Sequence, residues 1–325
     1  MMISPGRIRG LQASAAPQGI FTILAIDHRD ALRVMLDAHT PESVPASQLT
    51  ELKLAITRCL APQASAVLLD PLYSAAQAIT SQALPGHVGL LCALEEQGYL
   101  GDPHRRRTTL LPGWSVEKAK RLGATGVKIL LFYHPEAGMA AEKQEQLVRA
   151  VLAECHRWET PFFLEPISYS LDPSIQKGSV EFARLRRRIV VESARRLGAL
   201  GPDVLKVEFP VDVKHDTDQA AWAEACAELD EAASAPWALL SADEPFEVFK
   251  QQLRVACQAG CSGFLAGRAV WRGAVKLTGA ERENFLENVA RRRFAELVEI
   301  ALEFGKPWQR RHSLPEINEQ WHLQY

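Results

Sequence analysis

The chain has 325 residues, with 37 Lys and Arg residues against 39 Asp and Glu residues, which gives a formal net charge of −2 at pH 7. This balance removes any general electrostatic case for binding nucleic acid or an anionic membrane surface. Hydrophobic residues make up 47% and charged residues 23%, the composition of a folded protein that can bury a core without disulfides or metals.

The first apolar segment, residues 19–26, is too short for a membrane span and runs straight into Asp27-His28-Arg29-Asp30 with no cleavage site after it. We interpret it as a buried strand. The six cysteines are scattered and form no Cys-x-x-Cys pair, which favours reduced thiols. We therefore expect a soluble cytoplasmic protein with no membrane or nucleic-acid partner.

Short apolar segments rich in β-formers then recur along the chain. There are eight of them, at residues 21–27, 66–70, 88–95, 127–133, 162–167, 204–209, 237–242 and 263–267. Segments with helical periodicity lie between them, at residues 48–60, 73–84, 115–122, 140–158, 180–200, 218–232 and 246–259, and a last helix is predicted at 280–304.

Eight near-continuous apolar strands that alternate with helices predict an α/β fold in which a closed parallel sheet is covered on its outer face. A single (β/α)8 TIM barrel over residues 1–325 is the preferred interpretation, and a doubly wound open sheet is the alternative. Residues 1–18 form an N-terminal arm and 306–325 a C-terminal tail. Trp308 and Trp321 in the tail pack against the barrel or a second subunit, and we expect a homo-oligomer.

Seven ionisable residues fall within or at the end of six apolar segments, where hydrophobic patterning does not predict them. They are Asp27, Asp70, Glu95, Lys128, Glu165, Lys206 and Glu208. Barrel enzymes carry their chemistry at the C-terminal ends of the strands. Two residues of the set have simpler explanations, since Asp70 precedes Pro71 as a turn former and Glu95 begins a loop that we expect to be solvated.

Alternation with period two places Lys206 and Glu208 on one face of their strand, and Lys128 and Glu165 on the equivalent face of theirs. If that face is the barrel interior, four charges converge where unpaired Lys and Glu are rare. A structural ion-pair network is the alternative explanation. Two lysines with two or three acids on separate strands favour a catalytic site.

Two interior lysines indicate a specific chemistry. Lysine attacks a carbonyl only as the free amine, and lowering its pKa from about 10.4 to about 7 takes about 4 kcal/mol. A second ammonium about 4 Å away contributes about that much at an effective dielectric of 20. Lys128 therefore activates Lys206, or the reverse, as a Schiff-base nucleophile that breaks a carbon–carbon bond. Glu165 beside it would move protons.

The seventh and eighth strands supply a candidate phosphate site. Barrels often hold phosphate between these two loops, and here the strand ends carry Ser241, Gly267 and Arg268. Gly267 allows close backbone approach, and Arg268 adds a bidentate donor.

The chain resembles the class I tagatose 1,6-bisphosphate aldolases of bacteria. The likeness runs in order and spacing from about residue 20 to residue 310, and the string Asp-Val-Leu-Lys-Val-Glu at 203–208 is its most specific part. The other matching segments are residues 24–29, 68–71, 126–131, 161–165, 240–242 and 267–269.

This resemblance implies a (β/α)8 barrel that works without metal or cofactor on a small sugar phosphate. Lys206 matches the Schiff-base lysine and Glu165 the proton-transferring acid. Asp27 and Lys128 match residues that position substrate hydroxyls and tune the imine. The residues assigned to substrate or phosphate binding are Ser241, Gly267, Arg268 and Arg29.

The sequence departs from the family at two loops. Strand one ends in Asp-His-Arg-Asp, where the family usually has Asp-Gln-Arg-Gly, and Asp243 stands where it usually has glycine. Asp243 is expected to be the N-cap of the following helix, although acids beside a phosphate pocket oppose a doubly charged substrate. Related aldolases cleave 6-deoxy-6-sulfofructose 1-phosphate to sulfolactaldehyde, which is the alternative specificity.

The leading hypothesis is an aldolase that cleaves a ketose 1-phosphate or 1,6-bisphosphate, such as D-tagatose 1,6-bisphosphate, to dihydroxyacetone phosphate and an aldehyde. A metal-assisted isomerase or lyase is a second possibility, with oxygen ligands from Asp27, Asp70, Glu165 and Glu208. A sugar-phosphate sensor that keeps the site without turnover is a third.

Overall fold

The computed structural model describes residues 3–96, 106–323 and 325. Its eight strands are all parallel and close into one barrel in chain order, as the sequence predicted. The strands are β1 Phe21–Ala25, β2 Ala66–Leu69, β3 Gly89–Ala93, β4 Gly126–Phe132, β5 Phe162–Ile167, β6 Val204–Val207, β7 Trp237–Leu240 and β8 Gly263–Ala266. The open doubly wound sheet is therefore excluded.

The helices cover the outside of the barrel. They are α1 Pro5–Ser14, α2 Asp30–Leu36, α3 Ala46–Leu60, α4 Ala75–Thr80, α5 Val116–Leu122, α6 Met139–Arg157, α7 Val180–Gly198, α8 Gln219–Ala232, α9 Phe246–Ala259, α10 Arg268–Trp271, α11 Gly279–Phe285 and α12 Arg291–Phe304. The predicted helix at 280–304 is divided by a π-helical turn at Leu286–Ala290. Helices α1, α2 and α10 were not predicted, because α2 and α10 are short and α1 lies in the arm.

Alternate residues of the strands face the barrel interior and fill its lower part with a separate apolar cluster. Phe163 of β5 and Val204 of β6 belong to this cluster. Because the side-chain period of a strand is two, the interior face next receives Glu165 and Lys206, one layer higher. The fold thus places a layer of ionisable side chains directly above the interior apolar cluster.

The N-terminal end of the barrel is closed by α1 and the start of the tail. Leu11 and Trp308 pack into the interior cluster, so Trp308 packs against the barrel, whereas Trp321 is 41% exposed. Arg7 of α1 forms a buried ion pair with Asp203, with Nη2 2.5 Å from Oδ1. The ends of the predicted arm and tail, residues 1, 2 and 324, lie outside the described residues.

Within the described ranges, no helix combines the length and apolar character that crossing a membrane requires. All six cysteines are free thiols, and all are buried.

Candidate active site

A cavity of about 610 Å³ opens at the C-terminal ends of the strands. Its wall includes all eight site residues predicted from the sequence, namely Asp27, Arg29, Lys128, Glu165, Lys206, Ser241, Gly267 and Arg268. These residues come from six different strand ends. Closure of the barrel is what brings them to one place.

Lys128 of β4 lies at the centre of a carboxylate cluster. Its Nζ donates to Oδ2 of Asp27 at 2.8 Å and to Oε1 of Glu95 at 2.8 Å. Oε2 of Glu165 lies 2.7 Å from the same nitrogen as an ion pair, without the alignment of a hydrogen bond. Lys128 is 1% exposed, so one ammonium balances several buried negative charges.

This arrangement distinguishes the two lysines. Burial opposes the charge of Lys128, but the carboxylates of Asp27, Glu165 and Glu95 hold its pKa well above the ordinary value for lysine. Burial by itself would raise the pKa of Asp27, but the charges of Lys128 and Lys206 hold it well below its usual range. The surroundings of Lys128 therefore favour its charged ammonium form over the free amine that a nucleophile requires.

Lys206 of β6 has fewer carboxylate contacts than Lys128. Its Nζ lies 2.7 Å from Oε1 of Glu165, the oxygen that does not face Lys128. The carboxylate of Glu165 thus bridges the two lysines, one through each oxygen. Lys206 is 5% exposed and lines the cavity. A buried amine beside a bridging carboxylate can exchange a proton with it over a single hydrogen-bond length.

Glu95 and Glu208 both differ from expectation. Glu95 is 6% exposed and bound to Lys128, so it is a buried member of the cluster and not a solvated loop residue. Glu208 faces the cavity, but it does not join the lysine cluster. Its Oε2 accepts from the backbone N–H of Ser168 at 2.7 Å, and its Oε1 accepts from Lys177 Nζ at 2.6 Å. Glu208 therefore ties the loop after β5 to the end of β6.

Asp70 lies outside the cavity wall. It is fully buried, contacts Nζ of Lys53 of α3 and accepts from the backbone N–H groups of Leu72 and Tyr73 at 3.0 and 2.8 Å. Lys53 also donates to the carbonyl of Ile26 at 2.9 Å, which fixes the backbone next to Asp27. Asp70 is a turn former, as predicted, with an added role in holding the end of β1.

The metal-ligand set considered from the sequence is not assembled. Asp70 and Glu208 are held by their own cations, and Asp27 and Glu165 face Lys128. Within residues 3–96, 106–323 and 325, no group of three or more His, Cys, Asp or Glu side chains is placed to hold a metal ion.

The loops after β7 and β8 meet at the other side of the cavity. The backbone N–H of Gly267 donates to Oγ of Ser241 at 3.3 Å, and Arg268 begins α10. A Cβ at Gly267 would lie 2.6 Å from the carbonyl oxygen of Ala25, so only glycine allows this close approach between β8 and β1. Burial lowers the pKa of Arg268, and Asp243 opposes this effect.

Asp243 does not cap the following helix. The residue before α9 is Pro245, and no side chain caps that helix. The carboxylate of Asp243 instead pairs with Arg268, at 3.4 Å between Oδ2 and Nη1, and contacts Arg272. The loop backbone is left-handed at Ala242 (φ +44°) and Asp243 (φ +73°), where the family usually has glycine at the second position. The N-cap prediction is therefore wrong.

Arg29 and His28 complete the wall at the end of β1. Arg29 is 4% exposed, and one Nη donates to the carbonyl of Glu95 at 2.6 Å. The imidazole of His28 packs edge-on against Trp271, with ring centroids 5.3 Å apart. Burial, together with Arg268 and Lys206, lowers the pKa of His28 to about 3 against the effect of Asp27. His28 is thus a neutral imidazole in the cavity.

Sequence reasoning did not predict the roles of Lys53 and Lys177, the burial of Glu95 or the ion pairs of Asp243. Glu95 had the same signal as the others, an acid at the end of an apolar strand. Lys53 and Lys177 had none, because each lies in a helix or loop distant in sequence from its acidic partner.

The chain matches known aldolases over most of its length. Residues 21–273 match the family model described as DeoC/LacD family aldolase. The chain is 31% identical over 335 residues to tagatose 1,6-diphosphate aldolase 2 of Streptococcus mutans serotype c, covering 97% of this chain and 100% of that protein. It is 32% identical over 312 residues to tagatose 1,6-diphosphate aldolase of Streptococcus agalactiae serotype V, covering 90% and 94%.

Solved structures share the fold at lower identity. A Schiff-base-forming fructose-1,6-bisphosphate aldolase superposes with a TM-score of 0.59 at 20% identity, covering 91% of this chain and 99% of that chain. Fructose-bisphosphate aldolase from Plasmodium falciparum superposes with a TM-score of 0.69 at 13% identity, covering 94% and 98%.

Proposed function

Because this chain belongs to the DeoC/LacD family of aldolases, we propose that it is a class I aldolase acting on a ketose 1,6-bisphosphate such as D-tagatose 1,6-bisphosphate. The products would be dihydroxyacetone phosphate and glyceraldehyde 3-phosphate. The names of its 31–32% identical relatives support this substrate. The observation that carries the proposal is the carboxylate of Glu165, which bridges Lys206 and Lys128 at 2.7 Å on each side.

Formation of the imine follows from this contact. Lys206 passes a proton to Glu165, and the free amine attacks the C2 carbonyl of the open-chain ketose. Glu165 gives this proton to the former carbonyl oxygen, which forms the carbinolamine. It then takes a second proton from the carbinolamine nitrogen and passes it to the hydroxyl, which leaves as water, and a C2 iminium remains on Lys206.

Cleavage uses the same acid in the reverse sense. Glu165, now ionised, accepts the proton of the C4 hydroxyl while the C3–C4 bond breaks and its electron pair moves into the iminium. The aldehyde departs and an enamine remains. Protonation at C3 and hydrolysis of the resulting iminium release dihydroxyacetone phosphate. Asp27, held ionised, accepts hydrogen bonds from substrate hydroxyls, and Lys128 stabilises charge on their oxygens.

The two ends of the substrate would meet different parts of the wall. Arg268, with Ser241 and Gly267 beside it, would hold the phosphate of the ketone half. Arg29 follows β1 and extends to the carbonyl of Glu95 beyond β3, and it would meet the far end of the sugar.

Borohydride trapping tests the mechanism. We expect incubation with dihydroxyacetone phosphate and sodium borohydride to give an irreversible adduct on Lys206, insensitive to a chelator. Lys206→Ala should lose the adduct, whereas Lys214→Ala, which removes another lysine of the same cavity wall, should keep it. Glu165→Gln should still be trapped, but about 10²- to 10⁴-fold more slowly. An adduct mapped to any other lysine, or turnover abolished by the chelator without an adduct, would refute the proposal.

The sugar itself is tested by measuring cleavage of the phosphates of tagatose, fructose and 6-deoxy-6-sulfofructose side by side. We expect the highest kcat/KM with tagatose 1,6-bisphosphate. A higher kcat/KM with 6-deoxy-6-sulfofructose 1-phosphate would replace the substrate and leave the Schiff-base mechanism in place. Binding of all three without cleavage would favour the sensor hypothesis.

We further propose that the enzyme works in the cytoplasm as a homo-oligomer. Its six unpaired thiols fit a reducing compartment. Apolar side chains exposed in the tail, Leu314, Ile317 and Leu323, provide a surface for a second copy. Sedimentation equilibrium should give a multiple of 36 kDa, and a monomer at all concentrations would contradict this.

A further inference from the structure

Asp243 introduces a carboxylate at the side of the cavity where an anion is expected to bind. Its Oδ2 lies 3.4 Å from Nη1 of Arg268 and also contacts Nη1 of Arg272. Its other oxygen, Oδ1, is buried and has no hydrogen-bond partner within the described part of the chain. The side chains of Asp243 and Arg268 are each 27% exposed, and Arg268 lines the cavity, so a ligand in the cavity can reach the arginine of this pair.

The backbone that carries Asp243 is held in an unfavourable conformation. Ala242 and Asp243 both have positive φ, a backbone conformation that is unfavourable for L-residues. Such strain persists only where the surrounding structure imposes it, often in ligand-binding segments. Here the pairs with Arg268 and Arg272 are the contacts that hold the carboxylate in place.

We propose that Asp243 is a tethered competitor of the substrate phosphate: it occupies Arg268 in the free enzyme and must leave that arginine when a phosphate binds. This inference rests on the proposed function, since it takes Arg268 as the residue that meets the phosphate. Asp243 would thereby make the affinity of this end of the cavity for phosphate lower than Arg268 and Arg272 would give without it.

The effect follows from the charges. Arg268 begins α10 and Arg272 follows its last residue, so this short helix carries a positive charge at each end, and Asp243 reduces their sum to one. A phosphate ester, dianionic above about pH 6, gains attraction to Arg268 only after the carboxylate–guanidinium contact is broken. Phosphate affinity is therefore reduced, and the phosphorylated product dissociates faster, a step that often limits turnover in well-evolved enzymes.

Direct binding of inorganic phosphate tests the proposal. We expect Asp243→Asn to bind phosphate about tenfold more tightly than the wild type by calorimetry at pH 7.5, because Asn keeps the left-handed backbone and removes the charge. Asp243→Gly should show a similar gain and provides a second variant if the first folds poorly. The inhibition constant of dihydroxyacetone phosphate should fall by the same factor, with a lower KM.

Two controls identify the route of the effect. Glu244→Gln removes the same charge from the next residue of the cavity wall and should change phosphate affinity by less than about twofold. Combining Asp243→Asn with Arg268→Met should abolish the gain, since the competition acts through that arginine. Phosphate affinity unchanged or weakened in both Asp243 variants, or a gain that survives loss of Arg268, would overturn the proposal.

This measurement does not depend on turnover. If borohydride trapping fails while Asp243→Asn still tightens phosphate binding, the aldolase mechanism is wrong and the competitor proposal stands. If trapping succeeds while Asp243→Asn does not tighten phosphate binding, the aldolase mechanism stands and the competitor proposal is wrong.

Discussion

Replacing Glu208 with Gln should destabilise the protein by an amount that depends on pH in a defined way. Burial would raise the pKa of Glu208, but Lys177, Arg186 and hydrogen bonds from Lys177 and Ser168 lower it from 4.5 to about 2. At about 1.4 kcal/mol per pH unit, this difference corresponds to about 3 kcal/mol. Since Glu208 is 3% exposed, little of this is screened by solvent, and Gln resembles the protonated acid.

The sign follows from the lowered pKa. A carboxylate with a depressed folded-state pKa stabilises the protein fully above its unfolded-state pKa of about 4.5, and this contribution is lost as the pH falls toward about 2. The wild type should therefore exceed Glu208→Gln by about 3 kcal/mol at pH 7 and by only about 1.4 kcal/mol at pH 3.

Urea unfolding at pH 7, 5, 4 and 3 measures this difference directly. Glu303→Gln, which neutralises an exposed glutamate near the end of α12, is the matched control and should stay within about 0.5 kcal/mol of the wild type. An equal loss at pH 7 and pH 3 would mean that Glu208 contributes through packing, and the electrostatic argument would fail. No loss at pH 7 would also refute it.

Three further changes test other parts of the molecule. Lys128→Met leaves buried carboxylates uncompensated and should cost about 3–5 kcal/mol in urea unfolding at pH 7; a cost below 1 kcal/mol would contradict a charged Lys128. Gly267→Ala puts a Cβ 2.6 Å from the carbonyl oxygen of Ala25. It should lower the free energy of unfolding by about 1–3 kcal/mol and weaken phosphate binding. Unchanged phosphate affinity by calorimetry would exclude any link between this contact and the anion site. Asp203→Asn breaks the buried ion pair with Arg7 and should lower the free energy of unfolding by about 3–5 kcal/mol. Because this pair lies at the other end of the barrel from the cavity, kcat should stay within about twofold of the wild type. A large fall in kcat in the folded variant would argue against that separation.

Periodicity predicted much of the site because the relevant side chains belong to regular strands. Lys128, Glu165 and Lys206 lie on interior positions of β4, β5 and β6. Two residues earlier, the interior face carries Phe163 in β5 and Val204 in β6. Periodicity alone did not distinguish the two lysines, and only the family resemblance pointed to Lys206. The carboxylates around Lys128 include Glu95, which lies beyond the end of β3, where strand alternation no longer fixes the direction of a side chain.

Other predictions failed where a distant residue outweighs a local preference. Asp243 has the local pattern of an N-cap, but arginines that follow β8 offer its carboxylate ion pairs instead. Glu208 has the interior parity of Lys206, but it lies one residue past β6 and is bound by Lys177 from the preceding loop. In both cases the ion-pair partner comes from a different βα unit, so no short-range sequence pattern predicts the pair.

The distribution of the proposed catalytic groups between the two halves of the barrel bears on how such an enzyme can arise. Asp27, Glu95 and Lys128 belong to the first four strands, and Glu165 and Lys206 to the last four. A gene that encodes only the first half would specify Lys128 without Lys206, and one that encodes only the second half would specify Lys206 without Lys128. The chemistry therefore becomes available to selection only after the halves are joined, and circular permutants cut between β4 and β5 should recover it while separated fragments should not.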